Sequence, residues 1–184
     1  MSSDLLVERL STKKIRIVEI FNGKFFPSMK EQMMSSYVIT LFGERVSRVS
    51  IVATITERFV SGDGNYASIT IDDGSNAIRA KTFGEGVKIL ENISVGDLAI
   101  VVGKIKIYNN ELYITPDFVK RVLDPNTEIY WKIEILRNIQ SRKKIVQDLK
   151  KMRDEMSDEE LENYAKEKFG IESEELRIIF GATE

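Results

Sequence analysis

Apolar and polar residues alternate with a period of two over residues 46–59. Val49, Ile51, Ala53 and Ile55 share one side, and Arg48, Ser50, Thr54, Thr56 and Arg58 share the other, with Val52 the one apolar member of the polar set. That period belongs to a strand with one buried face. The SGDGN stretch at 61–65 has hairpin chemistry. Residues 66–72 resume the alternation, with Ala67, Ile69 and Ile71 inward and Tyr66, Ser68 and Thr70 outward, and Asp73-Gly74 makes the next tight turn. Residues 76–83 form a third strand, which completes a meander. Residues 84–93, with Val87, Ile89, Leu90 and Ile93 apolar, predict a short helical segment. Residues 98–107 are a fourth strand in which Gly103 marks a bulge. Asn109-Asn110 is a two-residue hairpin turn, and 111–122 are the fifth strand. A long first strand, two meander strands, a helix and a hairpin follow one another in the order of the five-stranded Greek-key barrel called the OB-fold. The helix between strands three and four argues against an SH3-like barrel.

The flanks read differently. Residues 1–44 predict an arm that packs on the barrel, with a strand over 14–21, a turn at Asn22-Gly23, one or two helical turns over 28–34, and extended chain over 37–40. After Pro125 the period changes to three and four. Trp131, Ile135, Ile139, Val146, Leu149, Met152 and Met156 form a stripe, interrupted by Arg142, on a helix over 127–153 with Thr127 as its N-cap. Ile129, Ile133 and Leu136 form a second, shorter stripe. One side of such a helix can pack on its own barrel, and the other needs a partner. Trp131, Ile135, Ile139, Val146 and Leu149 are the expected subunit interface. Residues 157–184 predict a small helical hairpin, in which Ser157 and Glu160 make a capping box, Leu161, Tyr164, Ala165 and Phe169 an apolar face, Gly170 a stop, and Ser173 a second cap. The expectation is a mainly β protein: an N-terminal arm (1–44), an OB-fold domain (45–123), an assembly helix (126–153) and a helical hairpin (157–184).

Composition narrows the chemistry. The 184 residues include no Cys and no His. Disulfides, thiolate zinc sites, Ser–His and Cys–His nucleophiles and imidazole bases are therefore excluded. Carboxylate, Lys and Mg²⁺ chemistry remain open, but no residue pattern points to a catalytic group, a metal or a cofactor, and the expected protein is not an enzyme. No apolar run approaches membrane-spanning length, and residues 1–30 lack the charge and apolar pattern of a secretory signal, so the expected location is cytoplasmic, with no membrane partner. The net charge of −2 is spread as +1 over 1–44, +1 over 45–123 and −4 over 124–184. No segment is basic enough for indiscriminate nucleic-acid binding. A nucleic-acid site must come from a few well-placed side chains.

Two such groups exist. Strand three carries Arg79, Lys81 and Phe83 on its polar side, and strand four carries Lys104, Lys106 and Tyr108 after the Gly103 bulge. The pattern basic–x–basic–x–aromatic thus occurs twice, and an aromatic on a polar face has no core to fill. Single-strand grooves combine cations along the backbone with rings that stack on bases. OB-folds use strands two and three and the loop between strands four and five for this purpose. The competing reading has Phe83 and Tyr108 covering the barrel ends or packing on residues 1–44. Tyr66 and Tyr113 also point outward, with packing an equal alternative. Arg48, Arg58 and the Arg142-Lys143-Lys144 run read as solvated, Asp72-Asp73 as turn chemistry, Gly84-x-Gly86 as too short for a dinucleotide fingerprint, and 154–162 as a solvated helix start.

Tyr37-Val38-Ile39-Thr40, leading through Gly43 to Val46-x-Arg48-Val49, with Val102-Gly103-Lys104-Ile105 in strand four, resembles the archaeal replication protein A-associated family over about residues 37–140. That family is similar to the middle subunit of replication protein A. The resemblance implies an OB-fold subunit that binds single-stranded DNA in replication, repair and recombination, with base stackers at the positions of Phe83 and Tyr108. It also implies that the helix after the barrel joins other replication protein A-like subunits, and that the protein is nucleoid-associated. The alternatives are a structural assembly subunit with little DNA affinity and an RNA- or tRNA-binding OB module.

Overall fold

The computed structural model describes residues 11–28 and 35–181. The helical turns expected over 28–34 fall on 29–34, outside the described residues. Ahead of the barrel, β1 (Lys13–Lys14) runs parallel to Val49 and Ser50, and α1 (Ile17–Asn22) follows it. β2 (Lys24–Phe26), β3 (Tyr37–Ile39) and β4 (Arg45–Val46) then form a small antiparallel sheet.

Helix α1 replaces the strand expected over 14–21. Its β-branched residues favour extended chain locally. The three-residue step from Ile17 to Ile20, however, buries both side chains completely. The helix N-terminus is capped from far away: the Ile17 N–H donates to Asp73 Oδ2 (2.8 Å) and the Val18 N–H to Ser75 Oγ (3.2 Å). Asp73 therefore serves α1 as well as its own turn.

The barrel consists of β5 (Arg48–Val60), β6 (Tyr66–Asp72), β7 (Ala77–Phe83), β8 (Leu98–Tyr108) and β9 (Glu111–Arg121). The ladder runs β5-β6-β7-β9-β8, and β8 pairs back onto β5 to close it; only the β7–β9 pairing is parallel. This is an OB-fold. The segment expected as a helix over 84–93 is a 3-10 turn at Gly84–Leu90, and Leu90 and Ile93 plug the barrel end. Inward positions of all five strands meet Ile15, Ile17, Ile20, Val38 and Val46 in one core. Asn109 and Asn110 both have positive φ (48° and 61°), as a two-residue hairpin turn demands.

At Gly103 the ladder shifts register, with Gly103 opposite Pro116 and Val102 opposite Phe118. A Cβ there would lie 2.4 Å from the Thr115 carbonyl oxygen. That neighbour is backbone in the middle of a closed barrel and has nowhere to go. Gly103→Ala is expected to cost about 2–3 kcal/mol, measured as a lower urea midpoint at unchanged slope.

α2 (Asn126–Arg153) lies across β1 and the first half of β5. Thr127 sits inside its first turn, and Asp124 does the capping instead, its Oδ1 accepting the Asn126 N–H (2.9 Å). Trp131 donates its indole N–H to the Ser50 carbonyl (3.3 Å), Lys14 stands over the Trp131 ring (4.1 Å) and pairs with Glu134, and Ile135 and Ile139 are buried. This packing covers Val52, the apolar residue on the polar side of its strand. Glu44, nearly buried, accepts from Asn138 (3.0 Å) and pairs with Lys13 (3.3 Å) and Arg142 (3.9 Å), so Arg142 is partnered rather than solvated.

α3 (Asp158–Phe169) and α4 (Ser173–Gly181) fold against the second half of α2. Val146 and Leu149 join Leu161, Ala165, Ile171, Leu176 and Ile179 in a second core, with Phe42 at its edge. Arg45 ties this unit to the small sheet, reaching Glu175 (2.8 Å) and Glu174 (3.1 Å) while stacking on Tyr37 (4.5 Å). Burial, aided by the hydrogen bond to Glu174, pushes the Tyr37 phenol up to about 12.

The expected subunit interface is thereby corrected. Trp131 and Ile135 pack on the chain's own barrel, Ile139 is buried within the chain, and Val146 and Leu149 pack on its own hairpin. The stripe left exposed on α2 is Ile129, Ile133 and Leu136, with Tyr130 beside it.

Candidate nucleic-acid interface

Strand register fixes how the two basic–aromatic trios relate. β7 and β9 are parallel and β8 is antiparallel to β9, so the trios run in opposite directions. Lys106, Tyr113, Arg79, Thr70 and Glu57 lie in one row across five strands. Phe59, Ser68 and Lys81 lie in the next row, where Lys104 faces Thr115. Phe83 stands beyond the second row at one end of the face, and Tyr108 stands before the first row at the other. Six residue steps of sheet, about 20 Å, separate these two rings. The cations occupy the middle and the aromatics the two ends.

Both rings are open to solvent, Phe83 at 63% and Tyr108 at 68%. The described residues of the arm leave both rings exposed. Phe83 has company, because Tyr66 lies 5.2 Å from it and Phe59 lies 6.0 Å from Tyr66, ring centre to ring centre. Three rings from three adjacent strands thus line one end of the face. The sequence reading missed Phe59. A bulge between Ile55 and Glu57 reverses the alternation, turning Glu57 and Phe59 onto the polar face and setting Arg58 opposite Ile69, where it stays exposed and its guanidinium donates to the Leu90 carbonyl (3.4 Å). Three consecutive polar residues, Thr56, Glu57 and Arg58, were the available signal.

The cations divide into two pairs. Glu111 holds Lys81 (2.8 Å) and Arg79 (3.6 Å), and Lys81 also stands over the Tyr113 ring (4.9 Å). The Lys81 hydrogen bond keeps the Glu111 carboxyl below the usual carboxylate range. Lys104 and Lys106 have no carboxylate partner among the described residues. Arg48, next to Lys104 in the ladder, pairs with Asp117 (3.1 Å) and is partnered rather than solvated. Such a face can stack bases at its ends and meet phosphates between them. Among the described residues, no helix is long and apolar enough to cross a membrane.

Residues 49–122 match the family model described as an OB-fold nucleic acid binding domain. No curated protein matches the sequence. Three solved structures show what the fold is similar to. One is a chain of a replication protein A heterotrimer bound to single-stranded DNA, at 16% identity and TM-score 0.59, covering 72% of this chain and 98% of that one. Another comes from the S. pombe Stn1–Ten1 complex, at 19% identity and TM-score 0.62, covering 73% and 96%. The third comes from yeast replication protein A bound to single-stranded DNA, at 16% identity and TM-score 0.53, covering 69% and 88%. The alignable share of the chain exceeds the barrel alone.

Proposed function

We propose that the protein is a non-catalytic, single-stranded DNA-binding subunit of a replication protein A-like complex, acting in replication, repair and recombination. The observation that carries this reading is the face just described, with two rows of cations between aromatic ends on an OB-fold barrel. The shared fold with chains of replication protein A and Stn1–Ten1 assemblies supports it. So do the residues of the archaeal replication protein A-associated pattern, Tyr37–Thr40 and Val102–Ile105. In this reading the protein is nucleoid-associated, and α2 brings it to other subunits. Fluorescence titration with oligo-dT and oligo-U, alone and with the co-purifying partner, tests it. Saturable binding that favours oligo-dT is expected. A preference for oligo-U would make the protein an RNA-binding OB module, and no binding to either would leave a structural subunit.

The structural reading has one observation in its favour, because Glu111 occupies two of the four cations. The salt dependence measures what remains. With two to four phosphate contacts and about 0.7 counterions released per contact, the log–log slope should lie near −2. Glu111→Gln frees Arg79 and Lys81, so affinity should rise about 3–10-fold and the slope should steepen toward about −3. An unchanged slope would show that Arg79 and Lys81 meet no phosphate. A wild-type slope steeper than about −5 would move the basic site elsewhere.

A further inference from the structure

Beyond the Tyr108 end of the cation rows, a groove of about 460 Å³ opens between α1, the barrel face and the 109–110 turn. Its walls include Phe21, Glu57, Arg79, Asn109 and Asn110. Phe21 comes from outside the barrel, yet its position is fixed. Its neighbour Ile20 is fully buried, and α1 is pinned at its start by Asp73 and Ser75. The Phe21 ring is thus held at the rim, 41% exposed, with no core role to explain it.

The charge here differs from that of the rows. Two carboxylates, Glu57 and Glu111, border the groove, and Arg79 is already paired with Glu111 (3.6 Å). A phosphate is repelled. A base edge rich in N–H donors is not, because a carboxylate accepts from the exocyclic amine of cytosine. Adenine and guanine also carry an exocyclic amine. Thymine and uracil instead present carbonyl oxygens on both sides of a single N–H. The Thr70 hydroxyl donates to Glu57 Oε2 (2.9 Å) and steadies that carboxylate. Asn109 and Asn110 carry amides that both donate and accept. An aromatic wall, an anchored carboxylate and two amides in a cleft of small-ligand size make a place for one base rather than for backbone.

We propose that this groove is a base-reading subsite for one nucleotide at the end of the bound strand, and that it takes an amino-bearing base in preference to thymine or uracil. The proposal rests on the single-strand reading of the face. The test is a set of oligo-dT strands of one length in which a single dC is stepped through every position, titrated against the full chain. One position near one end should bind about 5-fold tighter with dC than with dT. Glu57→Gln, which keeps the shape, should abolish that preference, so that dC and dT bind alike at that position. Phe21→Ala should weaken every strand that reaches the groove, by a similar factor for dC and dT, with the melting curve confirming the fold. A flat scan in the wild type, a preference that survives Glu57→Gln, or full affinity in Phe21→Ala overturns the proposal. Phe83→Ala separates the two levels. If it weakens oligo-dT while the scan is flat, the subsite alone is wrong. If it leaves oligo-dT binding unchanged, the reading of the whole face falls and the subsite with it.

Discussion

Phe83→Ala and Tyr108→Ala are each expected to weaken oligo-dT binding by roughly 1–3 kcal/mol, the worth of one base stacked on one ring. The register makes the double variant informative. With about 20 Å of sheet between them, the two rings share no partner, and their effects should add to within about 0.5 kcal/mol. The pair together should therefore cost roughly 2–6 kcal/mol, at least about a 30-fold loss. Phe59→Ala should behave differently. Phe59 reaches Phe83 through Tyr66, at 6.0 and 5.2 Å, so these two losses should fall short of their sum. Folding should hardly change, because Phe83, Tyr108 and Phe59 are more than half exposed. If thermal stability collapses while binding per folded molecule stays constant, the rings are structural and the strand lies elsewhere.

The barrel was legible because its signals are local. Period-two alternation, the Asp73-Gly74 and Asn109-Asn110 turns and Gly103 each act within a few residues, and each sits where the closed sheet needs it. Phe83 and Tyr108 follow from the same alternation. The features that escaped depend on distant residues. Helix α1 is capped from a turn 56 positions away, which no window around Ile17 contains. Phe59 faces outward only because a bulge in β5 adds one residue against β6. The antiparallel relation of the two trios, and the hold of Glu111 on Arg79 and Lys81, arise from β9 inserting between β7 and β8. Helix α2 presented two apolar stripes, and nothing in its own sequence says which meets the barrel. The Ser50 carbonyl, Val52 and Lys14 decide that by receiving Trp131.

That assignment determines how assembly should respond to mutation. Ile135 lies against the barrel, 6% exposed, so Ile135→Glu drives a carboxylate into an apolar contact. It should destabilise the fold by several kcal/mol, on the order of 3–5 with the lost packing included. Ile133 and Leu136 are exposed, and charge there costs the monomer little. Ile129, Ile133 and Leu136 recur at steps of four and three, the spacing of a bundle seam, and Gln140 and Lys143 end the stripe at the next steps. The stripe is thus confined to the N-terminal half of α2, and in the proposed assembly partner helices are expected to meet it there, clear of the α3–α4 hairpin. Burying three such side chains offers roughly 1.5–3 kcal/mol each, enough to assemble subunits once neighbouring surface adds to it. The wild type should sediment as a dimer or larger complex, and Ile133→Glu with Leu136→Glu should give a folded monomer that still binds short strands weakly. A wild-type chain that stays monomeric at high micromolar concentration and co-purifies with nothing from its source would refute the seam. An Ile135→Glu chain that is monomeric and as stable as the wild type would reverse the assignment of the two stripes.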